Sequence, residues 1–452
     1  MTKTGELARF GASLAENGLP ADVVHCAKRA LIDWIAAALA GSREPAAARL
    51  QQVIAAVATD EVATIVGTER MTSAPFAALA NGYASHLQDF DDVFNPVQTT
   101  VHLGSCVWPV VMALSQVRRL PGAGAVASFV AGFETGARVG CAAGLAHYES
   151  SWQVTGTAGH LASAAAGARA LGLPGEAATH ALGMAAAQAS GIREIYGSDT
   201  KALQPGKAAM DGVLAALLAE AGFTSRDTAL EGERGLLGAI SPSPDADLLV
   251  DGLGVRWHLL DNGHKLYPSA SLSHPAVDAA TAMARRPEFR ADEVASVEAR
   301  MLPFAAAVTS VVHPRPGSDA KFSAPHCLAV ALLTGRLGLD DFGEGRVSDP
   351  DVTALRGRIG VIGDPAVGKR AAVLTATLRD GTVLREEVEQ NRGTPGNRLS
   401  DAELEAKFVQ VAEPRIGAAA ASAVLNHCWD LDFLDDASLV LAPLRKALNG
   451  AA

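Results

Sequence analysis

Between His86 and Ser105 the chain reads HLQDFDDVFNPVQTTVHLGS, crowding Asp89, Asp91 and Asp92 beside Phe90, Pro96 and a second histidine, His102. Carboxylates packed this closely repel one another, so a fold keeps them where they meet cations, bind a metal or do chemistry. Hard divalent ions favour several carboxylate oxygens. Here, however, the nearest second cluster (Asn81, Ser85, Asp89) overlaps the first instead of facing it from another helix, and the spacing argues for no metal. Capping a helix or loop end accounts for one of Asp91 and Asp92 and leaves Asp89 for chemistry. The natural partners are basic. GSDTKALQPGKAAMDG sets Lys201 in a Gly/Ser/Asp loop just before a helical run. DNGHKLYPSASLSHPAVDAA sets His264, Lys265, Tyr267 and His274 around a proline turn. A single such lysine is ordinarily solvated surface, and a single histidine is ordinarily packed. Two lysine-bearing turns beside helix starts point further, because ammonium groups and helix N-termini both hold carboxylates. GDPAVGKR (Gly363 to Arg370) imitates a phosphate-binding loop but has Arg370 where Ser or Thr should hold magnesium. A strand rather than a helix follows it, so it reads as a surface turn.

The elements that must position these groups are mostly helical. In VVHCAKRALIDWIAAALAG, Leu31, Trp34, Ile35, Ala38 and Leu39 recur at helical spacing, and Gly41 is a plausible stop. Ala/Leu-rich runs of the same kind follow around 74–88, 107–118, 124–145, 157–171, 176–190 and 207–221. Near residue 290 the texture changes. VASVEARM alternates, with Ala295, Val297, Ala299 and Met301 expected on a buried face, and Asp380-Gly381 separates two strand-like runs as a hairpin signal. SAPHCLAVALLTGRL between them reads as helix, and Ser400 and Glu403 have capping-box spacing at the start of a last helix. The expected fold is mainly α: a large all-helical domain over 1–270, rejoined by 400–452, with a smaller α/β (α+β) domain over 271–399 inserted before the helical return. The junction between two such domains is where small ligands tend to bind.

With 452 residues, 49% hydrophobic and 19% charged, the chain has ample material for a core. A net charge of −11 and a pI of about 5.6 argue against nucleic acid or an anionic membrane as partner. The five cysteines are scattered without a CxxC pair, which is the pattern of reduced thiols in a cytoplasmic protein with no zinc site. No signal-peptide core opens the sequence, and no apolar run reaches the roughly 18 residues of a membrane span.

Several stretches, in order, give the chain a resemblance to the MmgE/PrpD family. They are ALANGYASHLQDFDDV with His102 and Pro109, WQVTGTAGHLASAAAGARALGL, GSDTKALQPGKAAMDGVLAALLAEAGF with EGERGLL, GHKLYPSASLSHPAVDAA, DAKFSAPHCLAVALLTG and RGTPGNRLSDAELEAKF. The resemblance implies a helical domain with an α/β lid, a homodimer, and cofactor-free chemistry on small carboxylic acids. It places the family's aspartate on Asp89, its following histidine on His102 and its two lysines on Lys201 and Lys265. The chain also departs from the family's pattern. Gln153 stands where many members have histidine in the stretch ending at Thr155, and Gln204 replaces the histidine after the loop lysine. Ala270 replaces His or Cys, Val93 replaces Thr, His326 takes the place of a functional Tyr, and the segment 95–101 looks longer than usual.

The chemistry shared by such sites is removal of a proton next to a carboxylate or carbonyl, which needs a base of near-neutral pKa and stabilisation of an enolate-like charge. His102 is the expected base. Asp89 is expected to orient His102 or a lysine, and Lys201 and Lys265 to clamp substrate carboxylates. Gln153, Gln204, Tyr267, His326, His264 and Thr155 are the expected substrate-binding residues, and no cofactor is required. Three readings stay open: a dehydratase or decarboxylase, an isomerase or epimerase, and a non-catalytic member that binds a ligand or partner subunit.

Overall fold

The computed structural model describes residues 2–58 and 60–449. The fold is mainly α and divides into two compact units. The first holds the chain up to Leu87, Asp91–His264 and the chain from Ser400 on; the second holds Gln88–Phe90 and Lys265–Leu399. Lys265–Ala270 and the short Asp89 segment therefore group with the second unit.

In the first unit, helices α1 (Lys3–Ser13), α2 (Ala21–Gly41), α3 (Pro45–Val57), α4 (Ala74–Leu87), α5 (Gly104–Arg118), α6 (Gly122–Glu149), α7 (Val154–Ala170), α8 (Gly175–Gln188) and α9 (Asp199–Glu220) follow one another. The 401–429 helix, opened by the expected Ser400–Glu403 capping box, packs on α2. Helix α2 is buried along most of its length, with Leu31, Ile32, Ile35 and Leu39 fully inside. Small residues let the central helices touch backbone to backbone. A Cβ on Gly82 of α4 would stand 2.8 Å from the Gly206 Cα of α9, and one on Gly206 would stand 2.5 Å from the Leu79 carbonyl. That closeness brings the last turn of α4, with His86, and the first turn of α9, with Lys201, into one neighbourhood.

Lys201 is a correction to the sequence reading. It lies not in a loop but in the first turn of α9, behind an extended Ser198 at the N-cap position. Asp199 in the first turn favours an earlier helix start. Pro205 is accommodated inside the helix next to the Gly206 contact.

In the second unit a four-stranded sheet has the order Ile359–Gly363, Val294–Met301, Ala372–Leu378, Val383–Val388, with the first pair parallel and the others antiparallel. The Asp380-Gly381 hairpin forms as expected, with Gly381 at φ +88°. Helices His274–Ala284 and Ala324–Thr334 pack against the sheet and complete a core of Val297, Ala299, Leu328, Leu374 and their neighbours. One expected core residue is displaced: Ala295 is exposed and Val294 buried. A register shift between Val294 and Ser296 swaps the faces at the strand's start.

Candidate active site

The chemistry-bearing stretch begins where α4 ends. Asp89 adopts φ +52°, a left-handed conformation that aspartate tolerates better than most residues and that clusters at ligand sites. In the second unit its carboxylate accepts from the Lys265 ammonium at 2.8 Å, and both side chains are buried. Of the two roles expected for Asp89, holding a lysine is the one the geometry shows. Gln88 holds the buried Lys321 ammonium alongside.

In the first unit the next two aspartates do different work. Asp92 caps α5 from a distance: its Oδ1 accepts from Gly104 N at 3.0 Å, and its Oδ2 accepts from Asn262 Nδ2 at 2.7 Å. Only glycine fits at 104, because a Cβ there would lie 2.6 Å from the Asp92 oxygen. Asn262 comes from a short ladder in which Asn262–Gly263 pairs with Val93–Phe94. Asp91, fully buried, accepts from Ser105 Oγ at 2.7 Å and from His86 Nδ1 at 2.9 Å, and lies 3.4 Å from His102 Nδ1. His102 Nδ1 also donates to the Asp92 carbonyl at 2.7 Å, and its backbone N–H donates to Thr155 Oγ1 at 3.2 Å. The His102 side chain is 12% exposed, and among the described residues its Nε2 has no hydrogen-bond partner. The imidazole is thus fixed at one nitrogen and available at the other, the arrangement a base requires.

Burial would raise Asp91, yet the His86 and His102 imidazoles and their hydrogen bonds hold it well below the usual carboxylate range. Asp92 goes the other way: burial, then the charges of Asp33 and Asp91, push it up to about 8. The folded chain therefore keeps a proton on Asp92 up to about pH 8, whereas an unfolded chain releases it near pH 4. The folded state binds the extra proton in that window, so this group's contribution to stability falls as pH rises through it. Asp92→Asn imitates the protonated form. The wild type is expected to lose stability relative to the variant by up to about 1.4 kcal/mol per pH unit between pH 5 and pH 7.5. Urea unfolding of both proteins across that range is the check, and a constant difference contradicts the assignment.

The remaining expected binding residues have mixed placements. Gln153 Oε1 caps α7 by accepting from Gly156 N at 2.5 Å, and Gln204 Oε1 sits beside Gly156 and Gly191. Thr155 supports the His102 backbone. His264 is buried in the first unit. Tyr267 donates to Asp278 at 2.7 Å, and burial pushes its phenol up. His326 is fully buried with Nε2 donating to the Asp341 carbonyl at 2.8 Å, a packed histidine of the second unit. Lys201 lies over the Tyr196 ring at 5.9 Å and within electrostatic reach of His86. His86 received no role from the sequence, and Asp91 only that of one of two candidates for a cap, which Asp92 fills. The one available signal was a histidine five residues before the aspartate at a helix end, which has meaning only once the helix end is placed. His86, Asp91 and His102 also offer ligand atoms within 4.8 Å of one another. The hydrogen-bond distances and the backbone carbonyl on His102 Nδ1 instead describe a protonated network.

The chain belongs to the MmgE/PrpD family: the family's N-terminal domain matches residues 5–249 and its C-terminal domain residues 267–431. A cis-aconitate decarboxylase of Aspergillus terreus is 29% identical over 297 residues, covering 63% of this chain and 60% of that relative. The human cis-aconitate decarboxylase is 25% identical over 448 residues, covering 94% of this chain and 90% of its own length. A 2-methylcitrate dehydratase of Cupriavidus necator is 46% identical over 74 residues, covering 14% of this chain and 15% of the relative. Among the described residues no helix is long and apolar enough to cross a membrane. None of the described cysteines forms a disulfide, and all are buried.

Proposed function

We propose that the protein is a lyase, of dehydratase or decarboxylase type, that acts without a cofactor on a small carboxylic acid by removing a proton next to a carboxylate or carbonyl. The observation that carries this reading is His102, anchored through Nδ1 to the Asp92 carbonyl and Asp91 with Nε2 left to act. The names of its relatives, a decarboxylase and a dehydratase, support the reaction class. In this reading His102 takes the proton at Nε2, and the imidazolium so formed is stabilised by the ionised Asp91 beside Nδ1. Lys201 in the first unit binds and balances a substrate carboxylate. Lys265, held by Asp89 in the second unit, is the second candidate for that role. Gln153 and Gln204 orient oxygens but transfer no proton, which favours chemistry with one base. Val93 and Ala270, in place of polar residues, favour a substrate less charged than a tricarboxylate. The working form is proposed to be a cytoplasmic homodimer.

An isomerase or epimerase would begin with the same proton transfer. The test is incubation of cis-aconitate, 2-methylcitrate and less charged unsaturated or hydroxy acids in deuterium oxide, followed by NMR. A new alkene signal, or loss of carbon dioxide, supports the lyase. Deuterium wash-in without either outcome replaces it with the isomerase. Absence of exchange on every acid supports a non-catalytic member.

A further inference from the structure

His102 is one end of a three-member array. Asp91 Oδ2 faces Ser105 Oγ, His86 Nδ1 and His102 Nδ1 at 2.7, 2.9 and 3.4 Å, and the two imidazole rings meet edge to face with centroids 4.7 Å apart. An imidazole nitrogen aimed at a carboxylate or carbonyl oxygen carries hydrogen, so both rings are Nδ1–H tautomers with their lone pairs on Nε2. In His102 that lone pair belongs to the part-exposed end of the ring. In His86, 1% exposed, Nε2 is enclosed and makes no hydrogen bond among the described residues.

We propose that His86 is a positioning residue: by donating to Asp91 it draws negative charge away from the carboxylate and so weakens the hold of Asp91 on a proton carried by His102. The array is thereby tuned so that His102 both takes a proton and releases it. The proposal rests on the reading of His102 as the base, although the arrangement of protons it describes exists without any substrate.

The surroundings explain why only one of the two imidazoles changes charge. His86 is faced by Asp91, by His102 and, from α9, by Lys201; Asp92 and Asp33 lie around Asp91, with Lys407 paired to Asp33. Burial first, with the Lys201 ammonium and His102 adding to it against the pull of Asp91, takes His86 down to about 4, so it stays neutral when His102 is protonated. The array then holds one carboxylate charge and takes up one proton, at His102.

The experiment uses the full chain labelled with ¹⁵N-histidine, its ring nitrogens followed by NMR from pH 5 to pH 8, with His86→Leu and His86→Asn compared. Asparagine offers an N–H donor near the position of Nδ1–H, and leucine offers none. In the wild type His86 is expected to stay a neutral Nδ1–H tautomer throughout. In His86→Leu the protonation of His102 is expected to move up by roughly one pH unit, a tenfold gain in proton affinity, and in His86→Asn to return most of the way. The acid limb of the rate profile should shift in parallel with KM unchanged, which a merely structural role would not produce. An Nε2–H tautomer at His86, or a His102 titration indifferent to leucine, overturns the proposal. If the leucine variant does not fold, the wild-type tautomers decide it. If the array behaves as described but no acid is turned over, the array stands and only the reading of His102 as a base fails.

Discussion

Replacing His102 with asparagine is expected to lower turnover by about 10²–10⁴-fold, the range that a positioned base contributes, while leaving the fold intact. Asparagine carries an N–H donor near the place of Nδ1–H, so the bond to the Asp92 carbonyl and the contact with Asp91 are kept. Only the nitrogen that would take the proton is lost. Substrate binding should be largely preserved because the ammonium of Lys201 is untouched, so the loss belongs in kcat rather than KM. The measurement is initial rate and deuterium exchange on whichever acid the wild type accepts, with thermal unfolding as a control. A variant that keeps activity within tenfold of wild type, with unchanged unfolding, removes His102 from the chemistry.

The largest effect on stability is expected at a pair the chemistry does not touch. Lys407 of the 401–429 helix donates to Asp33 of α2 at 2.7 Å, with the two side chains 3% and 0% exposed. Burial raises Asp33, opposed chiefly by Lys407, and the negative charge of Asp91 lies in the same region. Lys407→Met removes a cation from a buried group of carboxylates. Breaking a buried pair from one side costs about 3–5 kcal/mol, because the abandoned charge cannot return to water. Adding Asp33→Asn removes that charge and should recover most of the loss, so the double variant is expected to be more stable than Lys407→Met alone. Urea unfolding of the three proteins measures this. Equal stability of the single and double variants would show that Asp33 is not the carboxylate that Lys407 neutralises.

The same pair shows where reading along the chain stops. The runs that became α4, α6 and α8, the Ser400–Glu403 capping box and the hairpin at Asp380-Gly381 are local matters. Periodicity, caps and turn residues act over a few positions and can be read one segment at a time. Lys201 escaped because its Gly/Ser/Asp surroundings read as loop and the helical run was placed from 207, whereas α9 begins at Asp199 and packs against α4 through Gly206. Ala295 escaped because a single bulge inverts the faces of a strand. The aspartates divided in a way that spacing alone does not convey: Asp89 to a lysine, Asp92 to a helix N-terminus, Asp91 to two histidines.

By itself, then, the sequence determined a mainly helical protein with an inserted sheet, the segment in which its chemistry is concentrated, and the kinds of groups available. Only the tertiary structure decided which carboxylate serves which cation or imidazole, and that His86 joins His102 on one buried oxygen. The physical reason is range. Helix and turn preferences are set by neighbours in the chain, whereas the protonation and orientation of a buried side chain are set by whatever groups folding brings within about 4 Å of it.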